Sequence, residues 1–105
     1  MNTIDLKRGD TLDLLCVVQQ EGLPLDIAGW LIACEVRAPG GALVHRFAAH
    51  IVDAQAGQYR LLATAGQTAR WPLGGLSMDI RYTDAGGRVA TTATVPVQVR
   101  QAITG

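Results

Sequence analysis

Between Gly57 and Tyr82 the sequence reads GQYRLLATAGQTARWPLGGLSMDIRY, and no other stretch narrows the fold so far. Tyr59–Ala63 and Leu76–Tyr82 alternate apolar with polar residues, the period of a half-buried strand. The piece between them has neither strand nor long-helix character. Residues 65–71 have room for a short helical turn, which is too short to nucleate alone. Pro72 ends it, because the residue before a proline is pushed out of the helical region. The reading is strand, cross-over turn, strand, with Trp71 plugged into the core and Gly74-Gly75 restarting the ladder.

The same alternation recurs along the chain. Thr3–Lys7 makes a short first strand, and Thr11–Gln20 a long one with Leu12, Leu14, Cys16 and Val18 inward. Leu23–Gly29 is an extended connection, since Pro24 removes a ladder donor. Trp30, Ile32, Cys34 and Val36 form the inner face of the next strand, which Pro39-Gly40-Gly41 terminates. Ala42–Ile51 is expected near an edge, with Leu43 and Phe47 as core contacts and His45 on the same side. Tyr59, Leu61 and Ala63, then Leu76, Met78, Ile80 and Tyr82, continue the core. Asp84–Gly87 is a hairpin turn, supplied with the glycines that positive φ requires. Arg88–Arg100 closes the fold as one long strand, with Val89, Thr91, Ala93, Val95, Val97 and Val99 on one face. On its other face, Pro96 marks an edge or a bulge. About seven strands, turn signals at regular spacing and no amphipathic helix predict an all-β sandwich of antiparallel strands. Residues 1–105 are read as a single domain.

Composition then removes several function classes. With nine Lys plus Arg against nine Asp plus Glu, the net charge is zero, and no cationic excess exists to hold a phosphate backbone. Neutrality also leaves little repulsion against self-association. No apolar run is long enough for a spanning helix. The N-terminal residues lack a signal-peptide layout, so synthesis in the cytoplasm is expected. Cys16 and Cys34 are either buried free thiols or an inter-sheet disulfide.

Catalytic constellations are sparse. Ser77 lacks a nucleophile-elbow context and points outward. Cys16 or Cys34 beside His45 or His50 could be drawn as a thiol–imidazole pair, but both thiols lie on the apolar face, where a thiolate is disfavoured. His45, His50 and Asp53 could be drawn as metal ligands, but an odd spacing sets the two histidines on opposite faces of a strand. Glu35 and Asp79 are candidate paired carboxylates. Arg37 and Arg81 on the same faces make a cross-strand salt-bridge ladder the simpler reading. Arg8-Gly9-Asp10 spells a cell-adhesion tripeptide, though Gly9 more simply supplies a turn before a strand. The paired glycines precede strands, so they make turns and not a phosphate cradle. No catalytic, cofactor-binding or metal-binding residue is assigned.

The whole layout resembles a known family. Lys7-Arg8-Gly9-Asp10-Thr11 leads into the first long strand, and Gly22–Trp30 (GLPLDIAGW) forms the connection after it. Gln67–Gly74 (QTARWPLG) forms the cross-over turn, followed by Met78-Asp79-Ile80 and the hairpin Asp84–Val89. These residues resemble the small immunoglobulin-like modules of tailed bacteriophages and prophages, including the N-terminal domain of baseplate upper proteins. The resemblance implies an immunoglobulin-like sandwich and a non-enzymatic structural or assembly role in the virion. It implies partners among other virion proteins and copies of the chain itself, with no nucleic acid, membrane or small-molecule substrate. Because the sequence stops at Gly105 with no receptor-binding or coiled-coil region, a stand-alone tail, neck or capsid accessory is expected. The expected contacts are the Arg8–Asp10 turn, the Pro39–Gly41 tip, the strand around His45 and the tail Gln101–Gly105. The alternative is a host-encoded carbohydrate- or protein-binding module that uses Trp30 or Trp71 as a stacking surface.

Overall fold

The structure is a computed structural model and describes residues 3–104. Its strands are β1 (Ile4–Lys7), β2 (Leu12–Val17), β3 (Gln19–Gln20), β4 (Leu23–Pro24), β5 (Leu31–Arg37) and β6 (Leu43–Ala48). They continue as β7 (His50–Asp53), β8 (Gln58–Ala63), β9 (Gly74–Thr83), β10 (Val89–Thr91) and β11 (Val95–Arg100), with a helical turn α1 (Ala65–Thr68) before β9. Two sheets pack face to face. The larger has six strands in the order β1-β11-β9-β5-β6, with β10 also on β9, and the smaller is β2-β8-β7. Among the described residues no helix is long and apolar enough to cross a membrane.

Each expected run contains a strand, and three of the long ones are split. The chain breaks at Val18, whose N–H donates to Gly57 O (2.8 Å) and whose carbonyl accepts from Leu25 N (3.0 Å). Those bonds divert the strand into the small β3–β4 hairpin, so Pro24 sits in a two-residue strand of the connection. The second break, at Ala49, is a change of sheet: β6 pairs with β5, and β7 pairs with β8 across the sandwich. The third lies in residues 92–94. Thr91 pairs with Arg81 and Val95 with Met78, so four steps on one strand match three on the other. That extra residue is a bulge, and it inverts the side-chain parity on its two sides. Thr92 fills the gap in the ladder, its Oγ1 accepting from Ile80 N (3.0 Å) and its N–H donating to Ile80 O (2.8 Å).

The bulge corrects the reading of the last strand. Val95, Val97 and Val99 face the core, whereas Val89 and Thr91 pair with the outward Thr83 and Arg81 and are exposed, as is Ala93. Pro96 follows the bulge inside the sheet and precedes the first β1 pair, Ile4 with Val97. A second bulge, at Val44 of β6 opposite Val36–Arg37, corrects Leu43: it lies opposite the outward Arg37 and is half exposed, not in the core. The strands are not all antiparallel either. β1 runs parallel to β11, because the chain enters the sandwich at one end of the larger sheet and crosses directly to the smaller.

The remaining core follows the alternation. Cys34, Val36, Phe47, Tyr59, Leu61, Ala63, Trp71, Leu76, Met78 and Ile80 are buried in one cluster spanning both sheets. Ile27, in the connection read as merely extended, is fully buried among them. Trp71, at 2% exposure, is the plug that the cross-over turn carries into the core. The turn is held by a capping box, with Gln67 N donating to Thr64 Oγ1 (3.2 Å) and Thr64 N to Gln67 Oε1 (2.9 Å).

Candidate functional site

The positions of the chemistry-bearing residues decide what the surface can do. Glu35 lies directly opposite Asp79 on the outer face of the larger sheet. Arg37 bonds Glu35 Oε1 at 2.7 Å and Arg46 bonds Oε2 through Nε at 2.9 Å and through its second nitrogen. The ladder is therefore Arg37–Glu35–Arg46, with Arg46 where the sequence suggested Arg81. Hydrogen bonds from the two guanidiniums hold the Glu35 carboxyl below its ordinary range, the opposite of what a general acid needs. The Glu35 half of this like-charged pair is neutralised by two arginines in a surface ladder.

Cys16 and Cys34 are free thiols. Burial, joined by the neighbouring Cys16, Asp79 and Glu35, pushes the Cys34 thiol up to about 12. Burial also raises Cys16, against a hydrogen bond with Tyr59 that lowers it. His45 shifts the other way, lowered by burial among Phe47 (ring centroids 4.8 Å) and Trp71 (5.5 Å). A thiolate–imidazolium pair requires the reverse of both shifts. Here each group is held neutral by apolar surroundings.

The sheet change at Ala49 puts His45 in the larger sheet and His50 with Asp53 in the smaller, and among the described residues no three such side chains come together as a ligand set. Ser77 stands on the outer face of β9, opposite Arg37 and Pro96. The Arg8–Asp10 turn is built into the fold. Gly9 N donates to Thr68 Oγ1 (3.2 Å), and that hydroxyl donates to Asp10 O (2.6 Å). Thr68 is fully buried beneath the turn, so its hydroxyl staples α1 to the entry of β2. The Pro39–Gly41 tip is an exposed reverse turn, closed by Gly41 N to Ala38 O (2.9 Å) and braced by Arg37 on Gly41 O (2.8 Å). Ile103 in the tail is 94% exposed; the tail's last residue lies outside the described residues.

Two arrangements were not legible in the sequence. The hydroxyls of Tyr59 and Tyr82 share a hydrogen bond of 2.7 Å between the two sheets, their rings edge to face at 6.0 Å. Both lie on faces assigned to the core, and only the sheet packing brings the two together. The second is a cleft of about 490 Å³ beside the β3–β4 hairpin, framed by Leu25, Trp30, Tyr82, Arg88 and Val89. Trp30 is half-buried there, its ring centroid 5.8 Å from that of Tyr82, while Trp71 belongs wholly to the interior. The Trp71 Nε1–H has no hydrogen-bond acceptor among the described residues.

Taken as a whole, the fold has solved counterparts, although no protein-family profile and no curated sequence matches the chain. The N-terminal domain of phage TP901-1 ORF48 superposes with a TM-score of 0.64 at 17% identity, over 95% of this chain and 86% of that one. CopC from Methylosinus trichosporium OB3b gives 0.58 at 13% identity, over 96% and 86%. The fibronectin(III)-like modules of Clostridium thermocellum CbhA give 0.51 at 16% identity, over 96% of this chain and 43% of that one. The architecture is thus an immunoglobulin-like sandwich with one helical turn, and it is shared with a phage domain of similar length.

Proposed function

We propose that the protein is a non-enzymatic structural module of a bacteriophage or prophage particle, acting through protein–protein contacts. The observation that carries this reading is the superposition on the phage TP901-1 ORF48 domain over nearly the whole of both chains. The chemistry supports it. Burial pushes the Cys34 thiol up and two arginines hold the Glu35 carboxyl down, so neither is poised as a thiolate nucleophile or a general acid. The partners are other virion proteins and copies of the chain, and the working location is the virion after synthesis in the host cytoplasm. Sheet edges and end loops are the contact elements that a sandwich offers most readily. The test is proteomic analysis of particles purified after prophage induction in the strain that encodes the chain. The protein is expected at a stoichiometric level in intact particles; its absence from them would overturn the role.

One observation favours a second reading, a binding module of the host. The Trp30 cleft is framed by Leu25, Tyr82 and Val89, and its half-buried indole is available for stacking. Under that reading Trp30 fluorescence shifts on titration with an oligosaccharide or peptide ligand. Under the assembly reading soluble ligands leave it unmoved.

A further inference from the structure

Four main strands stand at sheet edges: β1 and β6 in the larger sheet, β2 and β7 in the smaller. An open edge invites pairing with another chain, and proteins ordinarily blunt it with charge, irregularity or proline. Three of the four are blunted. β1 presents Asp5 and Lys7 as its exposed side chains. β6 carries the register shift at Val36–Arg37 and the pinned Arg46. β7 is irregular between Ile51 and Asp53, with His50 and Asp53 exposed.

β2 has a single charge, Asp13, and none of the other devices. It pairs with β8 in unbroken register from Leu12–Ala63 to Val17–Gln58, without proline, glycine, lysine or bulge. Its outward side chains are Asp13, Leu15 and Val17, with Leu15 57% and Val17 44% exposed. Leu62, the outward neighbour on β8, adds a third half-exposed aliphatic side chain. The single charge on the strand, Asp13, is satisfied locally by Arg60 at 3.1 Å. The outer face of the larger sheet interleaves its exposed Leu31, Leu43 and Val89 with Glu35, Arg37, Arg46, Asp79 and Arg81. Exposed aliphatic side chains also stand on the edges β6 (Leu43) and β7 (Val52), but of the four edges only β2 combines them with an unbroken ladder, which is what a pairing strand requires.

We infer that β2 is a self-association edge, where a second copy of this chain adds its own β2 antiparallel and joins the two smaller sheets into one. The sequence of the strand selects this occupant. Side chains on a strand alternate faces, so a two-fold pairing must set outward residues against outward residues. An axis at Leu15 does so. It places Leu15 against its own copy and Asp13 against Val17 of the second copy, so no like charges are opposed and the most exposed side chain of β2 is covered. The strand is thus complementary to itself, as an isologous interface demands. A short edge alone covers less than the ~800 Å² per partner of a standard stable interface. The solution dimer is therefore weak and concentration-dependent, and it strengthens when copies are held side by side on a particle. In this the inference rests on the assembly role proposed above.

Sedimentation equilibrium of the intact protein over a hundredfold concentration range tests the dimer. The average mass is expected to climb from the 11.1 kDa monomer toward twice that value. Leu15→Lys should raise the dissociation constant at least tenfold, while Leu23→Lys, on the exposed β3–β4 hairpin, should leave it unchanged. Because Leu15→Lys could affect folding, Leu15→Cys provides a second measurement. Mild oxidation should trap a covalent dimer through the axis, and Leu23→Cys should give none. A strict monomer at the highest concentration, or a dimer indifferent to Leu15→Lys, overturns the inference. Dimerisation through Leu15 by a protein absent from particles would remove the assembly role and keep the edge; a particle-bound protein that never dimerises would do the opposite.

Discussion

Gly57 has a φ of +69°, and a Cβ placed on it would meet the carbonyl oxygens of Val18 and Leu25, both at 2.7 Å. Its own carbonyl accepts from Val18 N, and its N–H donates to Ala54 O (3.1 Å). It therefore sits where the β2–β3 break, the Leu23–Gly29 connection and the start of β8 meet, at a separation only a hydrogen atom allows. Gly57→Ala combines left-handed strain with a clash against backbone that cannot rotate away, and should cost about 3 kcal/mol or more. Gly22→Ala is the control, since Gly22 also has positive φ (+79°) but open space around it. It should cost only the left-handed term, about 1–2 kcal/mol. Urea denaturation of both variants, with m-values near the parent's, separates backbone conformation from close approach. Equal losses would show that the crowding at Gly57 is relieved by a small backbone shift.

At the scale of elements, α1 and the Arg8–Asp10 turn stabilise each other through one hydroxyl. A four-residue helix cannot persist by itself. The capping box fixes its start, Trp71 anchors its end, and Thr68 ties its buried side to Gly9 and Asp10. Thr68→Val keeps the shape but leaves the part-buried Gly9 N–H and Asp10 carbonyl without this partner, so a loss of about 0.5–1.5 kcal/mol is expected. Thr68→Ser, which keeps the hydroxyl and drops a methyl, should lose less than the valine variant. The comparison is read from thermal midpoints, and a valine variant as stable as the parent would remove the staple from the account.

These elements also show how far the sequence could be read. Period-two alternation identified β5, β8 and β9 and their buried faces, because each runs without a bulge or break in its own chain and its inner face is uniformly apolar. It misplaced Leu43, Val89 and Thr91, because a one-residue bulge reverses parity without altering the local pattern. It joined β6 to β7 because a strand that changes sheets keeps its alternation through the crossing. Trp71 was legible as the core plug from the proline and short helical turn around it. The Tyr59–Tyr82 bond was not, because sheet packing sets it. The parallel pairing of β1 with β11 depends on where the chain ends meet, which no local pattern records.

Across the whole molecule, the two sheets differ outside and are tied together inside. One outer face carries the Arg37–Glu35–Arg46 ladder among the exposed Leu31, Leu43 and Val89, and the other carries the Asp13–Arg60 pair beside the exposed Leu15, Val17 and Leu62. The inner tie is partly polar, with Tyr59 from the smaller sheet bonded to Tyr82 from the larger beside the Cys16 thiol. Burial raises both phenols above the ordinary value of 10.0, and it raises both thiols above 9.0. For each group the folded state favours the protonated form. The resulting stability is complete below the unfolded-state value and is lost as pH rises toward the folded one. The thermal midpoint should therefore hold level up to about pH 9, fall gently as unfolded-state thiols ionise, and fall faster above about pH 10 when the tyrosines join. The double variant Tyr59→Phe/Tyr82→Phe keeps the thiol phase and loses the steeper one, at the cost of the inter-sheet hydrogen bond at neutral pH. If parent and double variant decline in parallel above pH 10, the ionisation that separates the sheets lies elsewhere, and the tyrosine pair serves only for packing.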